Sequence, residues 1–237
     1  VDRDSGIVRL IGTAAAVYTG FIHFPYKDFV MKLYGFPLSG HSHRAELFLN
    51  LLKLPYEFVP VPLAGGGHRT PAFLAMNGLG EVPVLEDGDV VLADSTAILV
   101  YLASKYDDSG RWLPRDPLAA ARVQRWLSTA SGKIAYGPAA ARMVTVFGAR
   151  FDHEYVKGVA TRLFEVLERE LEGRRYLVGE HATIADVAAF SYIEHAPEGG
   201  VSLEPYPNIR GWLANVRALP GFVAMPATQA GVAPEAA

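Results

Sequence analysis

The 237-residue chain contains no cysteine. That excludes disulfides, thiolate metal sites and catalysis by a protein thiol, while leaving the cellular compartment open. A basic excess is also missing, since 22 Lys and Arg face 25 Asp and Glu for a net charge of −3. That balance argues against a general binder of nucleic acid or anionic membrane. Long apolar runs are missing too. The segment LIGTAAAVYTGFI is apolar for 13 residues, short of the roughly 20 that a spanning helix needs. Its flank mixes Asp2 and Asp4 with Arg3 and Arg9, a poor start for a signal peptide. Residues 1–30 therefore read as a translated leader or appended extension outside the fold, with a membrane-associating arm as the alternative. The final stretch, 226–237, lacks periodicity and reads as a frayed tail.

Half of the residues are hydrophobic, enough for a sizeable core. From Met31 the pattern alternates. MKLYG reads as a strand and HRAELFLNLLKL as a helix, with Leu47, Phe48, Leu51, Leu52 and Leu54 on its apolar face. YEFVPV is a second strand, followed by a glycine-rich loop and a short helix near TPAFLAMN. VPVLE and VVLA flank an Asp-Gly turn, which predicts a hairpin. DSTAILVYLASKY is a helix with Asp94 or Ser95 near its start. The order β-α-β-α-β-β-α over residues 31–107 predicts a small α/β domain. DDSGRWLPRDP reads as a linker. Beyond it the strand signals stop, and four helical patterns fill an all-α domain from 117 to 225. One long helix is marked by Arg122, Trp126 and Thr129, and another ends at Gly173.

The string EVPVLEDGDVVLADSTAILVYL resembles the glutathione-binding half of the cytosolic glutathione S-transferases, and the likeness runs from Met31 to about Met225. The member it is most similar to is serine-type, theta- or zeta-like and bacterial. The resemblance implies a thioredoxin-like N-terminal domain followed by an all-α domain. It implies glutathione as co-substrate, a small electrophile as second substrate, and no metal. It also implies a cytoplasmic homodimer with no nucleic-acid or membrane partner.

Residue roles follow from the resemblance. Pro83 is cis in the family, and the backbone of the residue before it, here Val82, pairs with the cysteinyl unit of glutathione. Asp94 and Ser95 stand where the family holds the γ-glutamyl end at a helix N-terminus. The family usually has Glu or Gln there, so Asp94 is a methylene short and Ser95 carries more weight. His68 has the spacing of a theta-like histidine that reaches the glycyl carboxylate, with Arg69 as the near alternative. Glu81 departs from the usual Gln or Lys, and would repel that carboxylate if it pointed inward.

The turn PLSGHSHRAE ends the first strand and opens a helix, where anions are favoured. A free thiol near pKa ~8.5 is only about 3% thiolate at pH 7. Lowering its pKa by about two units makes roughly three quarters of it thiolate, and requires about 2.7 kcal/mol of differential stabilisation. Counting from Tyr34, the theta- and zeta-like serine falls on Ser39, which the resemblance makes the thiolate-stabilising catalytic residue. The beta-like catalytic cysteine falls on Gly40. Ser42 reads as a helix cap, His41 as a second candidate for holding the sulfur, and Tyr34 as a packing residue on its strand. His41, Tyr136, Met143 and Phe147 are candidates for an electrophile pocket, with core packing as the competing explanation for the last three. Thr183 and Asp186 fit a structural capping box. A zeta-like isomerase, a glutathione-dependent peroxide or disulfide reductase, and a non-enzymatic binding module are the alternatives. A protein that holds glutathione conjugates without turnover is a further one.

Overall fold

The computed structural model describes residues 30–229. The expectation for the first 29 residues, and for the last part of the tail, lies outside the described residues. The first unit is a four-stranded sheet in the order β2-β1-β3-β4, built from β1 (Met31–Gly35), β2 (Tyr56–Pro60), β3 (Val84–Asp87) and β4 (Val90–Ala93). β1 lies parallel to β2 and antiparallel to β3, with Leu33 opposite Phe58 and Leu85. β3 and β4 form the hairpin, and Gly88 supplies the positive φ of its turn. Helices α1 (Gly40–Leu51), α2 (Pro71–Met76) and α3 (Ser95–Tyr106) complete the thioredoxin-like βαβαββα order.

Two boundaries differ from the sequence reading. α1 begins at Gly40, so Gly-His-Ser-His is the first turn of the helix, with Ser39 as its cap, rather than a loop before it. The helix ends earlier than its leucines suggest. Lys53 adopts φ 56°, and the Leu54 N–H donates to the Leu49 carbonyl at 2.9 Å, the closing bond of a Schellman-type stop.

The second unit is helical. α4 (Pro117–Thr129) runs through a π-helical stretch, Ala130–Ala139, into α5 (Ala140–Phe147). Pro138 lies inside the π stretch and has no N–H to give to the ladder. α6 (His153–Glu170), α7 (Ile184–Glu194) and α8 (Pro207–Arg217) follow. α7 is buried almost all round, as the central helix of such a unit must be. Its start is the expected capping box. Asp186 accepts from the Thr183 N–H at 2.8 Å, and also from the Leu177 N–H and the Trp212 indole N–H, each at 2.9 Å.

One apolar core runs through both units. The linker contributes to it: Trp112 is buried and meets Phe48 edge-on at 5.2 Å, while its carbonyl accepts from the Ile184 N–H at 3.0 Å. Residues 226–229 have no helix or strand, but Thr228 is not frayed. Its N–H and hydroxyl donate to Glu198 at 3.1 and 2.7 Å. Among the described residues, no helix is long and apolar enough to cross a membrane.

Candidate active site

The site forms where β1 hands over to α1. Ser39, not Ser42, is the N-cap: its Oγ accepts from the Ser42 N–H at 3.3 Å. Ser42 sits one turn in, buried, and its Oγ accepts from the Phe36 N–H at 3.1 Å. The expectation that Ser42 caps the helix is therefore corrected. In the observed register the first free N–H within reach of a capping oxygen is Ser42's own. Ser39 accepts one bond as cap, and among the described residues its own O–H proton has no acceptor. A half-buried hydroxyl with a free proton thus stands at the positive end of a helix.

Tyr34 is turned elsewhere. Its hydroxyl donates to Glu86 at 3.1 Å, beside the Lys32–Glu86 ion pair. It is half-buried and hydrogen-bonded rather than simply packed.

The start of α3 lies near the start of α1. Asp94 is its N-cap, and one carboxylate oxygen, Oδ1, accepts from the Thr96 N–H, the Ala97 N–H and the Thr96 hydroxyl at 2.8, 2.9 and 2.6 Å. Burial alone would raise the Asp94 carboxyl, but these bonds outweigh it and hold the group below its ordinary range. Asp94 has φ 71°, a backbone state that costs a non-glycine residue energy and that clusters at functional sites. Ser95 is buried and accepts from Arg44 Nη1 at 3.1 Å, with His41 Nδ1 at 3.4 Å.

Arg44 was not evident from the sequence reading. It is fully buried, and among the described residues its Nε and Nη2 have no hydrogen-bond partner. Burial lowers its pKa to about 10, which leaves it charged. A signal existed, since Arg44 shares the helical spacing of Leu47, Phe48 and Leu51 and so lies on the buried face. Burial, with the charge of Arg44 behind it, lowers His41 to about 3 and keeps its ring neutral. The His41 ring meets Tyr192 of α7 edge-on at 5.0 Å. Its contacts are therefore at the Ser95 end of the site and not with Tyr136 or Met143.

At the other end, the cis Val82-Pro83 bond leads into β3. Asn77 braces the loop before it, donating to the Glu81 carbonyl at 2.8 Å and accepting from the Leu79 N–H at 3.1 Å. The Glu81 side chain is exposed. His68 lies in the short turn Gly67–Arg69, and its Nδ1 is buried with no hydrogen-bond partner among the described residues. Arg69 is engaged instead with the Leu79 carbonyl at 3.2 Å.

Tyr136, Met143 and Phe147 are 67%, 43% and 47% exposed, so the core-packing explanation fails for all three. Phe147 faces Phe36, just before Ser39, with ring centroids 6.1 Å apart. An exposed apolar helix surface thus meets the serine turn. Among the described residues, no cluster of three or more His, Cys, Asp or Glu could hold a metal.

The fold and this geometry define a two-domain protein whose thioredoxin-like unit brings two helix starts and a serine hydroxyl together. Residues 33–110 match the glutathione S-transferase N-terminal domain, and residues 146–220 match the C-terminal domain of the same family. Glutathione S-transferase 3 of Zea mays is 35% identical over 206 residues, covering 81% of this chain and 91% of the relative. Glutathione S-transferase theta-1 of Bos taurus is 32% identical over 203 residues, covering 81% and 85%. The crystal structure of a glutathione S-transferase from Pseudomonas fluorescens superposes with a TM-score of 0.78 at 36% identity, covering 83% of this chain and 98% of that one. The chain belongs to the glutathione S-transferase family.

Proposed function

We propose that this chain is a serine-type glutathione transferase of the theta-like, bacterial kind, in which Ser39 stabilises the glutathione thiolate. The observation that carries this reading is the Ser39 hydroxyl, which accepts a helix N–H and keeps its own proton for the ligand. A donor aimed at developing negative charge from a fixed, partly buried position is an effective electrostatic catalyst. The thiol proton leaves to solvent. The thiolate then attacks an electrophilic carbon, a new C–S bond forms, and the electrophile's leaving group departs or its π bond takes the electron pair.

The remaining assignments follow the length of the tripeptide. Ser95 accepts from Arg44 and, with the His41 ring hydrogen on Nδ1, from His41, and so donates its own proton to the γ-glutamyl carboxylate. Asp94 uses one carboxylate oxygen for its cap and offers the other to the γ-glutamyl ammonium. Val82, ahead of Pro83, pairs with the cysteinyl backbone, and His68, with a free ring nitrogen, meets the glycyl carboxylate. The electrophile lies against Phe147, Met143 and Tyr136, beside the serine turn that Phe147 meets through Phe36, while His41 stands at the γ-glutamyl end. The domains are assigned as 31–107 and 117–225, and the active form as a cytoplasmic homodimer that needs no metal. Sedimentation of the purified protein tests the dimer.

Conjugation kinetics test the reading. Against a panel of small electrophiles, Ser39→Ala should lower kcat about 10²-fold, as loss of one oxyanion donor does elsewhere, with KM for glutathione within about threefold of the parent. Full activity in Ser39→Ala would refute it.

A further inference from the structure

Arg142 on α5 is almost completely buried, and nothing in the glutathione site itself accounts for it. Its Nε donates to Glu198 at 2.7 Å, and its Nη1 donates to the Leu38 carbonyl at 2.8 Å. Leu38 is the residue immediately before Ser39. Glu198 is held in turn by His195 Nδ1 at 2.7 Å and by the N–H and hydroxyl of Thr228. Gly199, beside it, leaves no room for a side chain, since a Cβ there would lie 2.6 Å from the backbone nitrogen of Arg142. The Arg142 guanidinium also lies over the Phe147 ring, 5.7 Å from its centroid, and that ring faces Phe36. α5 therefore grips the segment that delivers Ser39 at both of its ends, Phe36 and Leu38.

A buried ion pair is an inefficient source of stability, because apolar residues of similar volume do as well or better. What the pair offers here is register: a fixed donor on one named carbonyl, 104 residues away in the chain. We propose that Arg142, held by Glu198, is a positioning residue for catalysis, fixing the Leu38 carbonyl and through it the aim of the Ser39 hydroxyl at the glutathione sulfur. The inference rests on the reading of Ser39 given above. Hydrogen bonds weaken steeply with misalignment, and a misplacement of about 1 Å can cost about 10²-fold in rate. The γ-glutamyl contacts stand on α3, which Arg142 does not touch. Loss of the grip should therefore move the thiol pKa and kcat while leaving KM for glutathione in place. A merely structural residue would move all three or none.

The test compares Arg142→Met, Arg142→Lys, Glu198→Gln and Ser39→Ala in the full chain. It follows thiolate absorbance of bound glutathione against pH, together with kcat and KM. Arg142→Met should raise the bound thiol pKa by about one unit, a tenfold loss of thiolate at a pH well below that pKa, with KM within about twofold of the parent. Arg142 meets Glu198 and the Leu38 carbonyl with two different nitrogens, a fork that lysine's single nitrogen does not reproduce, so Arg142→Lys should fall between parent and Arg142→Met. Glu198→Gln should also raise the pKa, so the test stands even if Arg142→Met fails to fold. The inference is overturned if the folded Arg142 and Glu198 variants keep the parent pKa while Ser39→Ala raises it. If Ser39→Ala leaves the pKa unmoved, the Ser39 reading fails first and takes this inference with it.

Discussion

Ser95 is where a fully buried cation meets a helix start, and its hydroxyl has one lone pair committed to Arg44. His41 Nδ1 lies 3.4 Å from the same hydroxyl; with the ring hydrogen on Nδ1, both protein contacts of Ser95 are donors and its own proton is kept for a carboxylate. Ser95→Ala should raise KM for glutathione about tenfold, the worth of one hydrogen bond to a charged group, and leave the bound thiol pKa unchanged. Steady-state kinetics with glutathione varied would check the first half, and a shift in thiol pKa would show that the two ends of the site are not separable. At this scale the sequence was informative wherever a residue's role is local. Ser39, Asp94 and Ser95 stand at helix starts, and a helix start is visible as a change of pattern. The swap between Ser39 and Ser42 was hidden because it depends on where the first helical N–H falls, a matter of one turn. Arg44, Arg142 and Glu198 act across long sequence separations, and no local pattern states which carbonyl or hydroxyl they will meet.

The first turn of α1 is held from outside as well as from within. Gly40 lies under the Tyr192 ring, where a Cβ would come within 2.7 Å of ring atoms. Alanine at this position would gain up to about 1 kcal/mol of helix propensity. It would also overpack a tight contact, which costs about 1–3 kcal/mol. The second effect is the larger, so Gly40→Ala should destabilise the protein by about 1–2 kcal/mol, measured by urea unfolding. A stabilised variant would mean that Tyr192 yields freely. α7 offers a sharper case. Asp186 is fully buried and satisfies three N–H groups on three separate segments. Asp186→Ala would orphan all of them, at about 1–3 kcal/mol each. It should therefore cost about 4 kcal/mol or more, a large share of the roughly 5–15 kcal/mol by which a domain is stable, and lower the circular dichroism melting temperature sharply; an unchanged melt would contradict this. This capping box was legible as Thr-x-x-Asp, as were the strands MKLYG and VVLA, whose bounds match β1 and β4. The π stretch Ala130–Ala139 was not legible, because widening a helix changes its hydrogen bonding without erasing its apolar periodicity.

One of the groups that join the two units must stay neutral. His43 on α1 bridges them: its Nε2–H donates to the Val223 carbonyl at 2.9 Å, which leaves Nδ1 to accept from the Ser191 hydroxyl at 2.8 Å. Burial lowers its pKa to about 4 against an ordinary 6.5, with the Val223 carbonyl pulling the other way. The unfolded chain therefore binds the proton more readily between these values. The stability His43 contributes is whole above pH 6.5 and is lost as pH falls towards 4, by roughly 3 kcal/mol at most. His41 acts in the same sense, while Glu46, raised by burial to about 7, acts in the opposite one. Chemical denaturation from pH 7.5 to 4 should show that His43→Gln flattens the acid side of the parent profile. An unchanged slope would place the acid sensitivity elsewhere. The two-domain order was readable from the loss of strand signals after residue 107. The joint was not, because a charged segment with Pro and Gly looks like a free linker, and only Trp112 meeting Phe48 shows that it is part of the core.

The central claim is that Ser39 holds the glutathione sulfur as thiolate. The direct measurement is thiolate absorbance of bound glutathione against pH, for the parent and Ser39→Ala. The account predicts a parent midpoint about two units below the free thiol's ~8.5, and a return of most of that shift in Ser39→Ala. A parent that binds glutathione without shifting its thiol, or a Ser39→Ala variant that keeps the shift, would contradict it.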